Sequence, residues 1–169
     1  GLSPAGIGIV RMSGDLSFSI IEKIFKKDVH KFNVSKVDSH TVHYGHIVDN
    51  NEVIDAVMVL ILKAPKTFTK ENVVEINCHG GIFLLKRILE LVLDCGARMA
   101  DPGEFTKRAF LNGRLDLAQA ESVMDLIHSK NEFARKSSIA QLNGKLSKQM
   151  KTIRQSILHE MAFIESALD

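Results

Sequence analysis

Tryptophan is absent from this chain, tyrosine occurs once, and aromatic residues make up only 6% of its 169 residues. A base-stacking surface of the kind that grips single-stranded nucleic acid has little to draw on. There are only two cysteines, Cys78 and Cys95, and no C-x-x-C pair. A secreted domain of this size would normally carry a larger set at paired spacings, so a reducing, cytoplasmic setting is expected. The longest purely apolar run is Val57 to Leu62, far short of the ~20 residues that span a bilayer. No membrane association is expected, and the first ten residues lack the basic and apolar regions of a signal peptide. Nor is there a large excess of either charge. The 22 Lys and Arg nearly balance 20 Asp and Glu, which argues against a dedicated non-specific nucleic-acid binder.

Glycine and proline are unevenly spent. Ten of the 11 glycines and all three prolines lie at or before Gly113, and only Gly144 follows. Turn residues punctuate strand-and-loop structure, and their absence over a long stretch indicates helix. The chain therefore divides near Leu115 into an α+β domain, residues 1–114, and an all-α segment, residues 115–169. In the first part, Ile7 to Met12, His40 to Val48, Val53 to Leu62 and Val73 to Cys78 read as strands. Asp49-Asn50-Asn51 makes a hairpin of the middle two, and Ala97 to Ala100 suggests one more short strand. Helices are expected over Asp15 to Phe25, Phe83 to Leu93 and Phe105 to Leu111, with Gly96 ending the second in the left-handed conformation. This order of elements implies a mixed sheet with helices packed on it. In the second part Asp116 and Gln119 form a capping-box pattern. Leu142, Leu146, Met150, Ile153, Ile157, Met161, Ile164 and Leu168 then recur at about 3.7 residues per step, close to the helical period. So long a stripe must be covered, which implies a fragment whose bundle is completed by later residues or by another copy.

Several familiar chemistries fail on spacing. The start, Gly1-Leu-Ser-Pro-Ala-Gly6-Ile-Gly8, has Arg11 where a dinucleotide fingerprint needs its third glycine. Gly144-Lys145-Leu146-Ser147 lacks both the spacing and the upstream glycine of a nucleoside-triphosphate loop. His40, His43 and His46 look like metal ligands until strand alternation is applied, which puts His43 opposite the other two. Cys78 and His79 are strand neighbours and diverge likewise, so no metal site is expected. No G-x-S-x-G elbow is present, and no catalytic residue is assigned. Between Lys130 and Arg154 lie seven basic residues and one acid, Glu132. This run suits either a phosphate-facing surface or, more simply, a solvated helix face.

Two stretches carry more: Thr67 to Gly81 and Pro102 to Glu121. Glu75 is a carboxylate within the apolar strand Val73-Val-Glu-Ile76, a costly placement unless it is paired. Arg11 shares a strand face with Ile7 and Ile9. Two arginines, Arg11 and Arg114, and a glutamate from partly apolar elements suit a small ligand with a carboxylate and a donor-rich edge. A structural ion pair of Glu75 with Arg11 or Arg114 accounts for the same residues equally well.

The runs "GIGIVRMSG", "FTKENVVEINCHGG" and "DPGEFTKRAFLNGRLDLAQAESVMDLI" resemble the MnmE (TrmE) family of tRNA-modification GTPases, and the similarity covers essentially the whole chain. The resemblance implies an N-terminal α+β folate-binding fold, related to the tetrahydrofolate-binding domains of aminomethyltransferases, that forms a homodimer. It implies binding of a tetrahydrofolate derivative, 5-formyl- or methylene-tetrahydrofolate, with Arg11, Glu75 and Arg114 at the family's folate-contacting positions. It implies a helical domain into which a GTPase domain is inserted, with GTP, Mg and K bound outside this chain, so that this portion is not expected to hydrolyse GTP. The family acts with an FAD-dependent MnmG-type partner on C5 of the wobble uridine of tRNA. Lys70 stands where the family commonly has glycine. Two other readings compete: a dimerisation or partner-docking scaffold without folate, and a folate-dependent aminomethyltransferase-like domain.

Overall fold

Strict alternation of apolar residues organises the first part of the computed structural model, which describes residues 5–27, 30–129 and 131–168. Strand β1 (Ile7–Ser13) is followed by helix α1 (Ser17–Ile24), short strands β2 (Phe25–Lys27) and β3 (His30–Lys31), and the long strands β4 (Thr41–Asp49), β5 (Glu52–Leu62) and β6 (Val73–His79). Helix α2 (Ile82–Asp94) comes next. The sheet order is β1-β6-β5-β4-β2-β3, and every ladder among the described residues is antiparallel. The α+β class stands, but the sheet is antiparallel rather than mixed. A parallel pair requires a crossover between neighbours, whereas α1 connects β1 to β2, which lie far apart in the sheet.

Along β5, Val57, Val59 and Ile61 are buried while Met58 is exposed; along β6, Val74, Ile76 and Cys78 are buried and Glu75, Asn77 and His79 alternate with them. The buried phase packs against Ile20, Ile21 and Ile24 of α1 and Ile88, Leu91 and Val92 of α2 in one continuous core. Phe25 closes it, with Phe32 edge-on at 5.0 Å between centroids. The opposite phase faces away from the helices, and Ile7, Ile9, Val42, Tyr44 and Met58 on it are all exposed. This is a two-layer domain with one open sheet face.

The turns follow their residues. Asn50 (φ +46°) and Asn51 (φ +68°) supply the two positive φ values of a two-residue hairpin between β4 and β5. Gly96 (φ +109°) ends α2, its N–H donating to Leu93 O at 2.9 Å, as expected. Ala97 to Ala100 forms no strand, a correction to the expected element. There the Arg98 guanidinium donates to Met99 O and to Glu104, tying the segment to the turn that starts the next helix.

Helix α3 (Glu104–Leu111) leads into α4 (Leu117–His128), α5 (Glu132–Leu142) and α6 (Lys145–Leu168). Two compact units result, residues 1–105 and 106–169. Within the second, the Asp116 carboxylate accepts from Gln119 N at 2.9 Å and the Gln119 side chain accepts from Asp116 N at 3.0 Å, a complete capping box. Gln119 Nε2 also donates to Leu142 O at 2.7 Å, while Gln141 Nε2 donates to Ala118 O at 3.0 Å, locking α4 to α5. Ser147 of α6 donates to the Asp116 carboxylate, so one acid caps α4 and holds the start of α6. Leu146, Met150, Ile153, Ile157, Met161 and Ile164 form the anticipated stripe and are 44–59% exposed. Gly1 to Pro4 of the glycine-rich start, Lys130 of the basic run and the Leu168 side chain lie outside the described residues.

Candidate functional site on the open sheet face

Glu75 is the residue that the strand pattern made conspicuous, and β-pairing places Arg11 directly across from it. Arg11 Nε donates to Glu75 Oε1 at 2.7 Å. The Glu75 side chain is 18% exposed and that of Arg11 46%, so the pair sits at the water-facing surface of the sheet rather than in its core. The Arg11 guanidinium also lies 5.8 Å from the centre of the Phe105 ring, within cation–π range. One guanidinium nitrogen is spent on Glu75, which leaves donors on the fork beside a carboxylate, a combination that can meet both an acceptor and a donor edge of a ligand.

The segment leading into β6 is anchored from both sides. Thr67 Oγ1 donates to Glu71 O at 2.7 Å, and Ser13, at the end of β1, hydrogen-bonds Thr69 Oγ1 at 2.6 Å and Glu71 Oε2 at 2.8 Å. Thr69 is fully buried. The Thr67 to Glu71 stretch thereby ties β6 to β1 next to the Arg11–Glu75 rung. Arg114 lies in the second compact unit just after α3, with its N–H donating to Ala109 O at 2.9 Å.

At the end of β6 is a pair that sequence reasoning missed. Asp55 is 9% exposed, and its carboxylate accepts from His79 N at 2.9 Å and lies 2.7 Å from His79 Nδ1. The carboxylate can only accept, so Nδ1 carries the hydrogen and Nε2 is left pointing outward. His79 had been weighed only as a metal ligand. The available signal was Asp55 itself, a charged residue in the same alternation phase as buried Val57, Val59 and Ile61. Cys78, on the buried phase, has its thiol pushed up by burial and secondarily by the Asp55 charge, so it stays protonated. It donates to Gly8 O at 3.4 Å.

His43 and His46 lie on opposite phases of β4, as alternation requires, while His40 precedes the strand at φ +64°. His43 hydrogen-bonds Thr41 and packs against Phe32, with its imidazole pKa lowered by burial and by Lys27, whereas His46 lies beside Tyr44. Among the described residues no group of three or more His, Cys, Asp or Glu converges on a point that could hold a metal ion.

An antiparallel sheet covered on one face by two helices, with a cation–carboxylate rung on its open face, followed by a separate all-helical unit, defines an α+β domain linked to a helical domain. The family described as GTP-binding protein TrmE N-terminus matches residues 1–114, and the MnmE helical domain matches residues 117–169. The chain belongs to the MnmE (TrmE) family. Curated relatives named tRNA modification GTPase MnmE include those of Lachnoclostridium phytofermentans, 57% identical over 100% of this chain and 37% of the relative, and Streptococcus mutans, 55% identical over 99% and 36%. That of Staphylococcus aureus (strain Newman) is 53% identical over 99% of this chain and 36% of the relative. The chain thus spans little more than a third of the length of the relatives it matches.

Proposed function

We propose that this chain is the portion of a tRNA-modifying GTPase that binds a tetrahydrofolate one-carbon donor and forms a homodimer. The observation that carries the reading is the Arg11–Glu75 rung, built on the open sheet face of a chain whose relatives are named tRNA modification GTPases. The rung's chemistry fits a folate. Glu75 accepts from the N–H edge of the pterin, and Arg11 and Arg114 meet carbonyl or carboxylate oxygens. The donor is 5-formyl- or methylene-tetrahydrofolate. GTP, Mg and K are handled by parts of the parent protein outside this chain. With an FAD-dependent MnmG-type partner, the parent protein modifies C5 of the tRNA wobble uridine in the cytoplasm.

The test is calorimetric titration of the chain with 5-formyl-tetrahydrofolate, with Glu75→Gln alongside. The substitution keeps size and hydrogen-bonding reach but removes the charge and one acceptor. Because the pair is partly water-exposed, its loss changes stability by only about 1 kcal/mol or less, so the variant stays folded. Severe weakening of binding in a folded variant is the expected result, and unchanged affinity sinks the assignment. A second reading has its own observation. The exposed apolar stripe of α6, from Leu146 to Ile164, favours a dimerisation or partner-docking scaffold without folate, and it prevails if a folded, dimeric wild type binds no folate.

A further inference from the structure

Charge is shared out unevenly along this chain. From Phe133 to His159 there are six Lys and Arg and no Asp or Glu, whereas the remaining residues hold 16 basic and 20 acidic side chains. Within that stretch Arg135 and Lys136 of α5 are spent on Glu132, at 2.5 and 3.8 Å. The other four, Lys145, Lys148, Lys151 and Arg154, stand on the first half of α6, and all are exposed. Lys151 lies near enough to Asp116 to help hold that carboxyl below its ordinary value. Lys145, Lys148 and Arg154 pair with no acid among the described residues, and the next acid along α6 is Glu160.

At 3.6 residues per turn, steps of three carry these four side chains around about half of the helix circumference, over a rise of ~14 Å. Their mean direction lies about 160° from that of Leu146, Met150, Ile153 and Ile157. The start of α6 is therefore two-sided, and a cover on the apolar stripe lies across the helix from the basic residues. Ser147, Thr152 and Gln155, the other residues on the basic side, are uncharged.

A solvated face kept for stability alone is built otherwise. It mixes signs, so that Glu and Lys pair four residues apart, and it sets acids rather than lysines at the positive N-terminal pole. α6 has no acid in its first turn and opens with Lys145 and Lys148. Four cations within ~14 Å repel one another, and a dense row of fixed negative charge relieves this while releasing its own counterions. A nucleic-acid backbone is such a row. With no Trp and one Tyr in the chain, contact is with phosphates rather than with stacked bases.

We propose that Lys145, Lys148, Lys151 and Arg154 make the first half of α6 a docking face for the phosphate backbone of tRNA. This rests on the tRNA-modifying part of the reading above, and adds to it where on this chain the RNA lies.

The experiment follows the anisotropy of a dye-labelled, unmodified tRNA transcript as the whole chain is added, at salt concentrations from about 50 to about 200 mM KCl. Four phosphate contacts predict a loss of affinity of about a hundredfold over that range, and two contacts about tenfold. Lys148→Gln combined with Arg154→Gln, at exposed positions, should flatten the dependence from the first value to the second and leave binding of 5-formyl-tetrahydrofolate unchanged. Lys66→Gln combined with Lys86→Gln removes the same charge from exposed positions in the other compact unit, and should keep the wild-type dependence. Equal flattening by both pairs, or none by the first, overturns the assignment, because the attraction then belongs to net charge or to another surface. So does poly-L-glutamate that binds as tightly as the tRNA, which marks the face as a dock for acidic protein. Wild type that binds the folate but no tRNA overturns the face and leaves the folate reading standing. Wild type that binds tRNA with the expected dependence but no folate supports the face and sinks the folate site.

Discussion

Ile9 and Ile76 are isoleucines on adjacent paired strands, one on each face of the sheet, and truncating each to alanine measures which face is covered. Ile76 is fully buried between the sheet and its helices, whereas Ile9 is 52% exposed. Each substitution removes three carbon groups. At about 0.8 kcal/mol per buried methylene the transfer contribution for Ile76→Ala is ~2.4 kcal/mol. The surrounding core, which includes its strand partners Val10 and Val59, closes only in part over the lost volume, and the cavity raises the total to about 3–4 kcal/mol. Ile9→Ala loses roughly half the transfer contribution and leaves no cavity, so ~1 kcal/mol is expected. Urea unfolding followed by far-ultraviolet circular dichroism, at two protein concentrations tenfold apart, reads both values. Equal losses at the two sites, with a midpoint for wild type that rises with concentration, would refute the argument. They would mean that a second copy covers the open face in solution, and the ligand surface would have to be sought elsewhere.

Asp116→Ala removes the capping box of α4 and the bond from Ser147 together, and should cost about 1–2 kcal/mol in thermal or urea unfolding. The Ser147 hydroxyl and then the Gln119 N–H hold the Asp116 carboxyl below its ordinary value. A carboxylate whose folded pKa is depressed contributes stability above its unfolded pKa of about 4 and loses it as pH falls through the folded value. Wild type should therefore lose its advantage over Asp116→Ala in acid, and a pH-independent difference would contradict the assignment. Lys70 sits at φ +60°, its N–H donating to Thr67 O. Lys70→Gly should relieve about 1 kcal/mol of left-handed strain, partly offset by glycine's greater chain entropy. A melting temperature raised by a degree or more supports this, and a lowered one argues that the lysine side chain compensates.

Much of the fold was legible because local patterns dictated it. The alternation in Val53 to Leu62 and Val73 to Cys78, the Asn50-Asn51 turn, the glycine that ends α2 and the Asp116 capping box are all decided within a few residues of chain. The family motifs are equally local, being continuous runs. What the pattern could not supply was partnership. Alternation says that Glu75 and Arg11 each lie on a particular face of their own strand, but not that sixty-four positions of separation close into one rung. The two open alternatives for Glu75, Arg11 or Arg114, were separable only by register. Ala97 to Ala100 shows the same limit in reverse, since its residues would tolerate a strand but pair with none, and Arg98 turns to Glu104 instead.

The Asp55–His79 pair marks the boundary most clearly. From the sequence His79 is weighed only as a metal ligand, and Asp55 is passed over in its otherwise apolar run. Neither has meaning alone, because a carboxylate is stable when buried only where donors reach it. Those donors come from a strand that pairs with β5 only after the chain has passed through the Thr67 to Glu71 segment and returned. The sequence by itself determined which residues alternate, cap and turn, since backbone geometry enforces those choices within a few positions. Tertiary structure alone decided which of the two phases is buried, which charges meet and where the open face becomes a site. Those outcomes depend on sheet order and register, which arise from packing the whole domain at once.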